Sequence, residues 1–301
     1  MGPEDAIEQR KRLETLVGAH GELVVPGDAP SPILTSPVRA SLHQWLFEIN
    51  AADELQSVGV KPRSRCILSG PPGCGKTTLA HHVCARLGIP MLIVQSHEVI
   101  SKYVGESGER VAKLFRAARR VPDGLALFFD EFDALARNRE NLGGGGGDRE
   151  AANITISLLQ EFDRYDGLMF AATNMSSAID PAIWRRFNMQ IEIGYPGSVE
   201  RFAIVRMYMA PFDVPDETIA TISDAMEGAA PALIREVCES IKRTLVLGPR
   251  MSLSVTLPDI MQRVAATCSA PDGAQVPRLW SHFREHSIKF SKASWPPERG
   301  A

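Results

Sequence analysis

Eight consecutive residues, Gly70-Pro71-Pro72-Gly73-Cys74-Gly75-Lys76-Thr77, follow the spacing G-x-x-x-x-G-K-[ST] of a loop that cradles phosphate. The glycines let the backbone approach a ligand, Lys76 carries charge to the outer phosphates of a nucleotide, and the Thr77 hydroxyl can hold Mg²⁺. Two carboxylates, Asp130-Glu131, end the wholly apolar run Leu125-Ala126-Leu127-Phe128-Phe129. At the C-terminal end of a buried parallel strand they reach the sheet edge where open α/β folds bind ligands. There one carboxylate can hold Mg²⁺ through water and the next can orient or activate an attacking water; two solvated acids capping a helix are the alternative. Asn174 ends another apolar run, Leu168 to Ala172, where it either bonds a γ-phosphate and the attacking water or starts a turn. Asp180-Pro181-Ala182 opens a short helix that delivers two adjacent cations, Arg185 and Arg186.

The elements that must position these groups are legible in the hydrophobic period. Cys66-Ile67-Leu68 reads as a buried strand before the glycine loop, and Lys76 to Leu87 as a helix with Leu79, Val83 and Leu87 on one face, stopped by Gly88 and Pro90. Strand, loop and helix are the context in which backbone N–H groups at a helix N-terminus face phosphate. Met91-Leu92-Ile93-Val94 makes a second strand, Leu125 to Phe129 a third, Leu168 to Ala172 a fourth, and the alternating Met189 to Ile193 a fifth. Before them, Val38 to Leu55 reads as one helix with Leu42, Trp45, Leu46 and Ile49 recurring at helical spacing. Residues 1 to 34 read as a short charged helical pattern and a linker holding Gly27, Pro30 and Pro32.

Past Tyr195-Pro196-Gly197 the pattern turns helical: Val199 to Met209, Glu217 to Met226, Ala232 to Leu247 and Leu257 to Ala266, which make a separate small subdomain. The expected organisation is therefore an extension over 1–34, an α/β nucleotide-binding subdomain over 35–195, a helical lid over 196–268, and a basic, aromatic segment over 269–301. That last segment, with Trp280, Phe283, Phe290 and Trp295, is expected to pack on its own domain, with docking of a partner as the other reading. The five glycines Gly143 to Gly147 read as a mobile loop, because each has maximal freedom to lose on ordering. By itself Tyr103-Val104-Gly105 reads as a turn with a half-buried ring.

Composition excludes several classes. The chain of 301 residues is 44% hydrophobic, enough for a globular core, and its formal charge of −3 supplies no global basic field for nucleic acid. Five cysteines stand far apart with no C-x-x-C pair, which argues against zinc or a disulfide framework and for reduced thiols. No run approaches a membrane span and the first residues are acidic and polar, so an unanchored cytoplasmic protein is expected.

Together these residues resemble the AAA family of hexameric ATPases over residues 35 to 267, matching its motifs in order. Gly70 to Thr77 resembles the Walker A loop and Phe128-Phe129-Asp130-Glu131 the Walker B strand; Ala171-Ala172-Thr173-Asn174 is similar to sensor 1, and Asp180 through Phe187 to the arginine-finger region. The resemblance implies a P-loop parallel sheet flanked by helices, followed by a small all-helical lid. It implies ATP and Mg²⁺ held by Pro72, Gly73, Cys74, Gly75, Lys76, Thr77, Thr78 and Asp130, with the metal on Thr77 and, through water, on Asp130. Glu131 would polarise the water, Asn174 would help hold it, and Arg185 and Arg186 would come from a neighbouring subunit.

Ser101-Lys102-Tyr103-Val104-Gly105-Glu106-Ser107 closely resembles the first pore loop of the unfoldase branch. On that resemblance Tyr103 and Val104 would grip a translocating polypeptide in a ring, a hexamer, with a separate protease or adaptor as a partner. A nucleotide-gated assembly scaffold and a DNA-associated ATPase are the alternative readings. Two stretches depart from the family: Asn188-Met189-Gln190 replaces the usual charged residues after the fingers, and Gly228-Ala229-Ala230-Pro231-Ala232 stands where Ser-Gly-Ala-Asp is common. No sensor 2 arginine is assigned, Arg235 being a remote candidate.

Overall fold

The computed structural model describes residues 11–27, 29–100, 106–122, 124–137, 146–268 and 276–299, with only the backbone for 146–150 and 299. Tyr103, Val104 and glycines 143–145 lie outside the described residues. Contacts divide the chain into two units: one of Met1–Pro32, Pro37–Gly70 and Lys76–Ile193, the other of Ile33–Ser36, Pro71–Gly75 and Gly194–Ala301.

The first unit holds, in order, helix α1 (11–17), strand β1 (Glu22–Val24), α2 (Ser36–Asn50), α3 (Ala52–Ser57), β2 (Arg65–Ser69), α4 (Lys76–Leu87), β3 (Met91–Gln95) and α5 (Ser96–Val99). It continues with α6 (Glu106–Ala118), β4 (Ala126–Asp130), α7 (Gly146–Arg164), β5 (Met169–Thr173), α8 (Pro181–Trp184) and β6 (Met189–Glu192). One sheet runs β1-β3-β4-β5-β2-β6. The pairs β3–β4, β4–β5, β5–β2 and β2–β6 are parallel, and β1 lies antiparallel on β3. All five strands expected from the sequence are present, and each parallel strand needs the crossover helices that lie between them in the chain.

The helices form because their apolar residues recur at one face. In α6, Val111, Leu114, Phe115 and Ala118 fall at i, i+3, i+4 and i+7 and are all buried. In α7, Ile154, Leu158 and Phe162 do the same at four-residue steps. Phe115, Phe129, Phe132, Phe162 and Phe187 interlock at centroid distances of 5.6 to 6.4 Å. Burying each such ring contributes roughly 1.5–3 kcal/mol. On α2, Trp45 sets its edge against Phe170 at 5.5 Å and donates its indole N–H to the Arg63 carbonyl at 2.8 Å.

Three features differ from the sequence reading. The helix expected over Val38 to Leu55 is two, α2 and α3, broken at Ala51 (φ −94°, ψ 25°); the buried face of α2 is complete before Asn50, and Asp53 and Glu54 start a fresh first turn. The stretch read as an extension and linker supplies β1 to the sheet and Leu13, Val17 and Leu23 to the core. Of the glycines read as a mobile loop, Gly146 and Gly147 are helical, because the register set by Ile154, Leu158 and Phe162 carries back to Gly146. The apolar face outweighs a helix penalty of about 1 kcal/mol per glycine.

The second unit contains α9 (Ser198–Met209), α10 (Asp216–Ala225), α11 (Pro231–Leu247), α12 (Leu257–Thr267), α13 (Arg278–Ser281) and α14 (Phe283–Phe290). Ile204, Val205, Ile222, Ile234, Val237, Ile241, Ile260 and Met261 build its core. The unit is not wholly helical, since β7 (Phe212–Asp213) pairs antiparallel with β8 (Glu298–Arg299). The aromatic segment packs into this core: Leu279 and Phe290 are buried, and the Trp280 indole N–H donates to the carbonyls of Ala265 and Cys268 at 3.0 Å.

Candidate active site

Three neighbouring parallel strands, β4, β5 and β2, deliver the chemical groups, because each ends on the same edge of the sheet. β2 runs out at Ser69 into Gly70, β4 into Asp130-Glu131, and β5 into Thr173-Asn174, with Ser69 in register with Thr173. Residues far apart in sequence are thereby brought together by pairing alone.

Gly70 sits at φ 142°, where a Cβ would stand 2.0 Å from the Ile193 carbonyl oxygen, so only glycine fits. Its N–H donates to the Thr173 carbonyl at 3.3 Å and ties the start of the loop to β5. Gly73 and Gly75 take φ of 74° and 93°, left-handed conformations that turn the backbone through the loop. A Cβ on Gly73 would meet the Ala232 methyl at 3.0 Å, and the Gly73 carbonyl accepts the Ala232 N–H at 3.1 Å. Pro72 and Gly73 are exposed, Cys74 is buried, and Gly75, Thr77 and Thr78 are half-buried.

Lys76, the first residue of α4, is buried, and its Nζ donates to the Gly70 carbonyl at 2.7 Å and to Asn174 Oδ1 at 2.6 Å. That second bond decides the orientation of the asparagine: an ammonium can only donate, so Oδ1 faces Lys76 and the amide NH₂ is the donor end. Thr173, buried beside it, accepts the Met175 N–H at 3.0 Å and donates its hydroxyl to Asp133 Oδ1 at 2.8 Å. Asn174 is thus held from its own side chain and from both flanking residues.

Asp130 is half-buried and Glu131 exposed. Glu131 adopts the left-handed conformation, φ 48° and ψ 47°, a rare state for a residue with a Cβ. Its N–H donates to Asp130 Oδ1 at 3.0 Å, and its carbonyl accepts the Ala134 N–H at 2.9 Å. The buried Ser96 hydroxyl lies 2.5 Å from the Asp130 carbonyl and 2.9 Å from that of Glu131.

The two arginines follow helix α8. Asp180 caps α8 by accepting the Ala182 N–H at 2.8 Å. Arg186 then pairs with Asp163 of α7 at 3.5 Å and donates to the Ala182 carbonyl at 3.3 Å. Arg185 closes α8 and is exposed.

Ser96 and Asp133 are residues at the site that the sequence reading did not single out, and Thr173 entered it only within Ala171-Ala172-Thr173-Asn174. Asp133 stands two residues past Glu131 and Thr173 one before Asn174, so proximity to the motifs was the available signal; Ser96 had none. Among the described residues no cluster of ligating side chains could hold a metal by itself, and all five cysteines are free and buried. Burial pushes the Cys84 and Cys238 thiols up to about 12, which keeps them protonated and unreactive.

A phosphate-loop strand and helix, with acids and an amide ending the two adjacent parallel strands, define a P-loop nucleotide-binding domain, here followed by a helical unit. Residues 66–195 match the family described as "ATPase family associated with various cellular activities (AAA)", and the chain belongs to the AAA family. It is 37% identical over 209 residues to an uncharacterized AAA family ATPase of Sinorhizobium fredii, covering 67% of this chain and 60% of the relative. It is 34% identical over 250 residues to the proteasome-activating nucleotidase of Aeropyrum pernix, covering 79% and 59%. A third relative, the ATP-dependent zinc metalloprotease FtsH of Acidimicrobium ferrooxidans, is 32% identical over 255 residues, covering 76% and 38%. The chain spans about three fifths of the first two relatives' length. No helix among the described residues is long and apolar enough to cross a membrane.

Proposed function

We propose that this protein hydrolyses ATP at a site shared between subunits of a ring, a hexamer, and uses the cycle to unfold or remodel protein substrates. The observation that carries the reading is the convergence of Lys76, Asp130, Glu131 and Asn174 on one sheet edge, with Lys76 bonded directly to Asn174.

The residues present fit ATP and Mg²⁺. Gly73 and Gly75 turn the loop with no side chain to obstruct a phosphate, and a buried ammonium stands at its end. Thr77 would offer a hydroxyl and Asp130 a carboxylate oxygen, the kinds of ligand that a hard cation prefers. Mg²⁺ bound there would supply charge neutralisation for the outer phosphates.

The chain's own groups do the rest. Lys76 offers its charge to the phosphates while Asn174 donates from its amide NH₂ to a phosphoryl oxygen or the water. Glu131, exposed at the end of β4, orients that water and takes up its proton. Arg185 and Arg186 reach the site of the neighbouring copy, where such cations are worth roughly 10³ to 10⁵ in rate in other NTPases. A head-to-tail contact that repeats in this way closes into a ring.

Tyr103 and Val104 then grip an extended substrate chain by apolar contact. The name of one relative, a proteasome-activating nucleotidase, supports a protease as partner, and the same reading takes protein as substrate and allows an adaptor. Nucleic acid is not part of this reading, which takes the protein to act in the cytoplasm.

The test is a pair of variants. Glu131→Gln should bind ATP yet lose at least about a hundredfold in turnover, as removal of a principal charge from an active site does. Tyr103→Ala should keep ATPase and lose unfolding of a tagged reporter protein. Normal unfolding by the Tyr103 variant would overturn the threading part of the proposal and leave the ATPase part standing.

A further inference from the structure

Glu131 cannot continue strand β4 without harm. Side chains alternate along a strand, so an extended Glu131 would share a face with Phe129, which packs against Phe115, Phe132 and Phe162. A carboxylate aimed there would be buried among aromatic rings at a prohibitive desolvation cost. The left-handed turn at φ 48°, ψ 47° avoids this and leaves Glu131 exposed. Such a conformation costs on the order of 1–2 kcal/mol for a residue with a Cβ. It persists only where the surroundings over-determine it.

The surroundings here include one side chain from the first residue of α5, just past the end of the neighbouring strand β3. Ser96 follows Gln95, the residue in register with Asp130, and is 1% exposed. Its hydroxyl lies within 2.9 Å of both carbonyls that bracket the turned residue, 2.5 Å from that of Asp130 and 2.9 Å from that of Glu131. The hydroxyl has one proton, which the two carbonyl oxygens share in a three-centre bond, and sharing it requires both to face Ser96. Successive carbonyls in an extended strand point to opposite sides. The bridge is therefore compatible with the turn and incompatible with continuation of the strand.

We infer that Ser96 is a positioning residue for hydrolysis: by clamping the two carbonyls it sets the left-handed turn that aims the Glu131 carboxylate. The inference rests on the reading of Glu131 as the group that acts on water.

The test compares wild type with Ser96→Ala, Ser96→Thr and Glu131→Gln, all full-length. Ser96→Ala should lower kcat for ATP about tenfold, the rate equivalent of one buried hydrogen bond, with KM and ATP affinity unchanged. Ser96→Thr, which restores the hydroxyl, should recover most of the loss. In nucleotide-free protein, the Glu131 amide hydrogen should exchange faster in Ser96→Ala than in wild type, and return toward the wild-type rate in Ser96→Thr. Unchanged kcat in Ser96→Ala, or unchanged exchange at Glu131, overturns the positioning role. If Glu131→Gln itself keeps wild-type turnover, the underlying reading of Glu131 fails instead. The two failures are thus told apart.

Discussion

Arg185 and Arg186 are chemically identical neighbours, yet the fold treats them differently. Arg186 spends its guanidinium on Asp163 and the Ala182 carbonyl, whereas Arg185 is exposed at the end of α8. A partly exposed ion pair at 3.5 Å is worth at most about 1 kcal/mol, enough to hold Arg186 against α7 without being indispensable. Arg185→Ala is therefore expected to reduce turnover by a thousandfold or more, the scale of a lost arginine finger, and Arg186→Ala by far less. Steady-state ATPase at saturating protein measures both, and equal losses would show that the tie to Asp163 opens on assembly. The residues that spacing identified belong to a recognisable short motif, as in Gly70 to Thr77, even where a partner is distant, as Asn174 is from Lys76. Ser96, Asp133 and the Asp163 tether escaped because they stand outside any such motif and their partners, 23 to 40 positions away, meet them only through sheet pairing or helix packing.

At the scale of elements, hydrophobic period found the strands and long helices because each buries a whole face. It missed β1, since three residues with a single buried side chain, Leu23, give alternation too little length to register. It joined α2 to α3 for the opposite reason, as apolar spacing carries across Ala51 although the backbone does not. Helix α14 shows what composition alone conceals. His286 is 3% exposed, and neither ring nitrogen has a hydrogen-bond partner among the described residues. Burial, then Lys289 on the same helix and Arg278 on α13, hold its pKa below the ordinary 6.5, against the weaker pull of Asp224 on α10 and Glu285. The unfolded chain thus binds this proton more readily than the folded one. The contribution of a neutral His286 is complete above about pH 6.5 and is lost as pH falls below it, by up to about 1.4 kcal/mol per pH unit. Thermal unfolding at about pH 7.5 and 5.5 should show a steeper drop for wild type than for His286→Leu. Equal slopes would mean that other groups carry the pH dependence.

At the scale of the whole molecule, each copy holds only part of the chemistry proposed for it. Lys76, the acids and Asn174 stand at the ends of β2, β4 and β5, while the two arginines follow α8, with Arg186 tied to Asp163 of α7. On the proposed reading the site is completed by a second copy, so turnover should depend on assembly rather than on folding alone. The most direct measurement mixes two inactive proteins. Glu131→Gln lacks the group that acts on water but keeps its arginines; Arg185→Ala keeps the intact loop and acids but lacks the finger. Each is assayed alone for ATPase and then after co-assembly. Recovery of turnover in the mixture, where an intact loop meets an intact Arg185 from the neighbouring copy, is the expected result; a mixture no more active than its components would contradict a shared site.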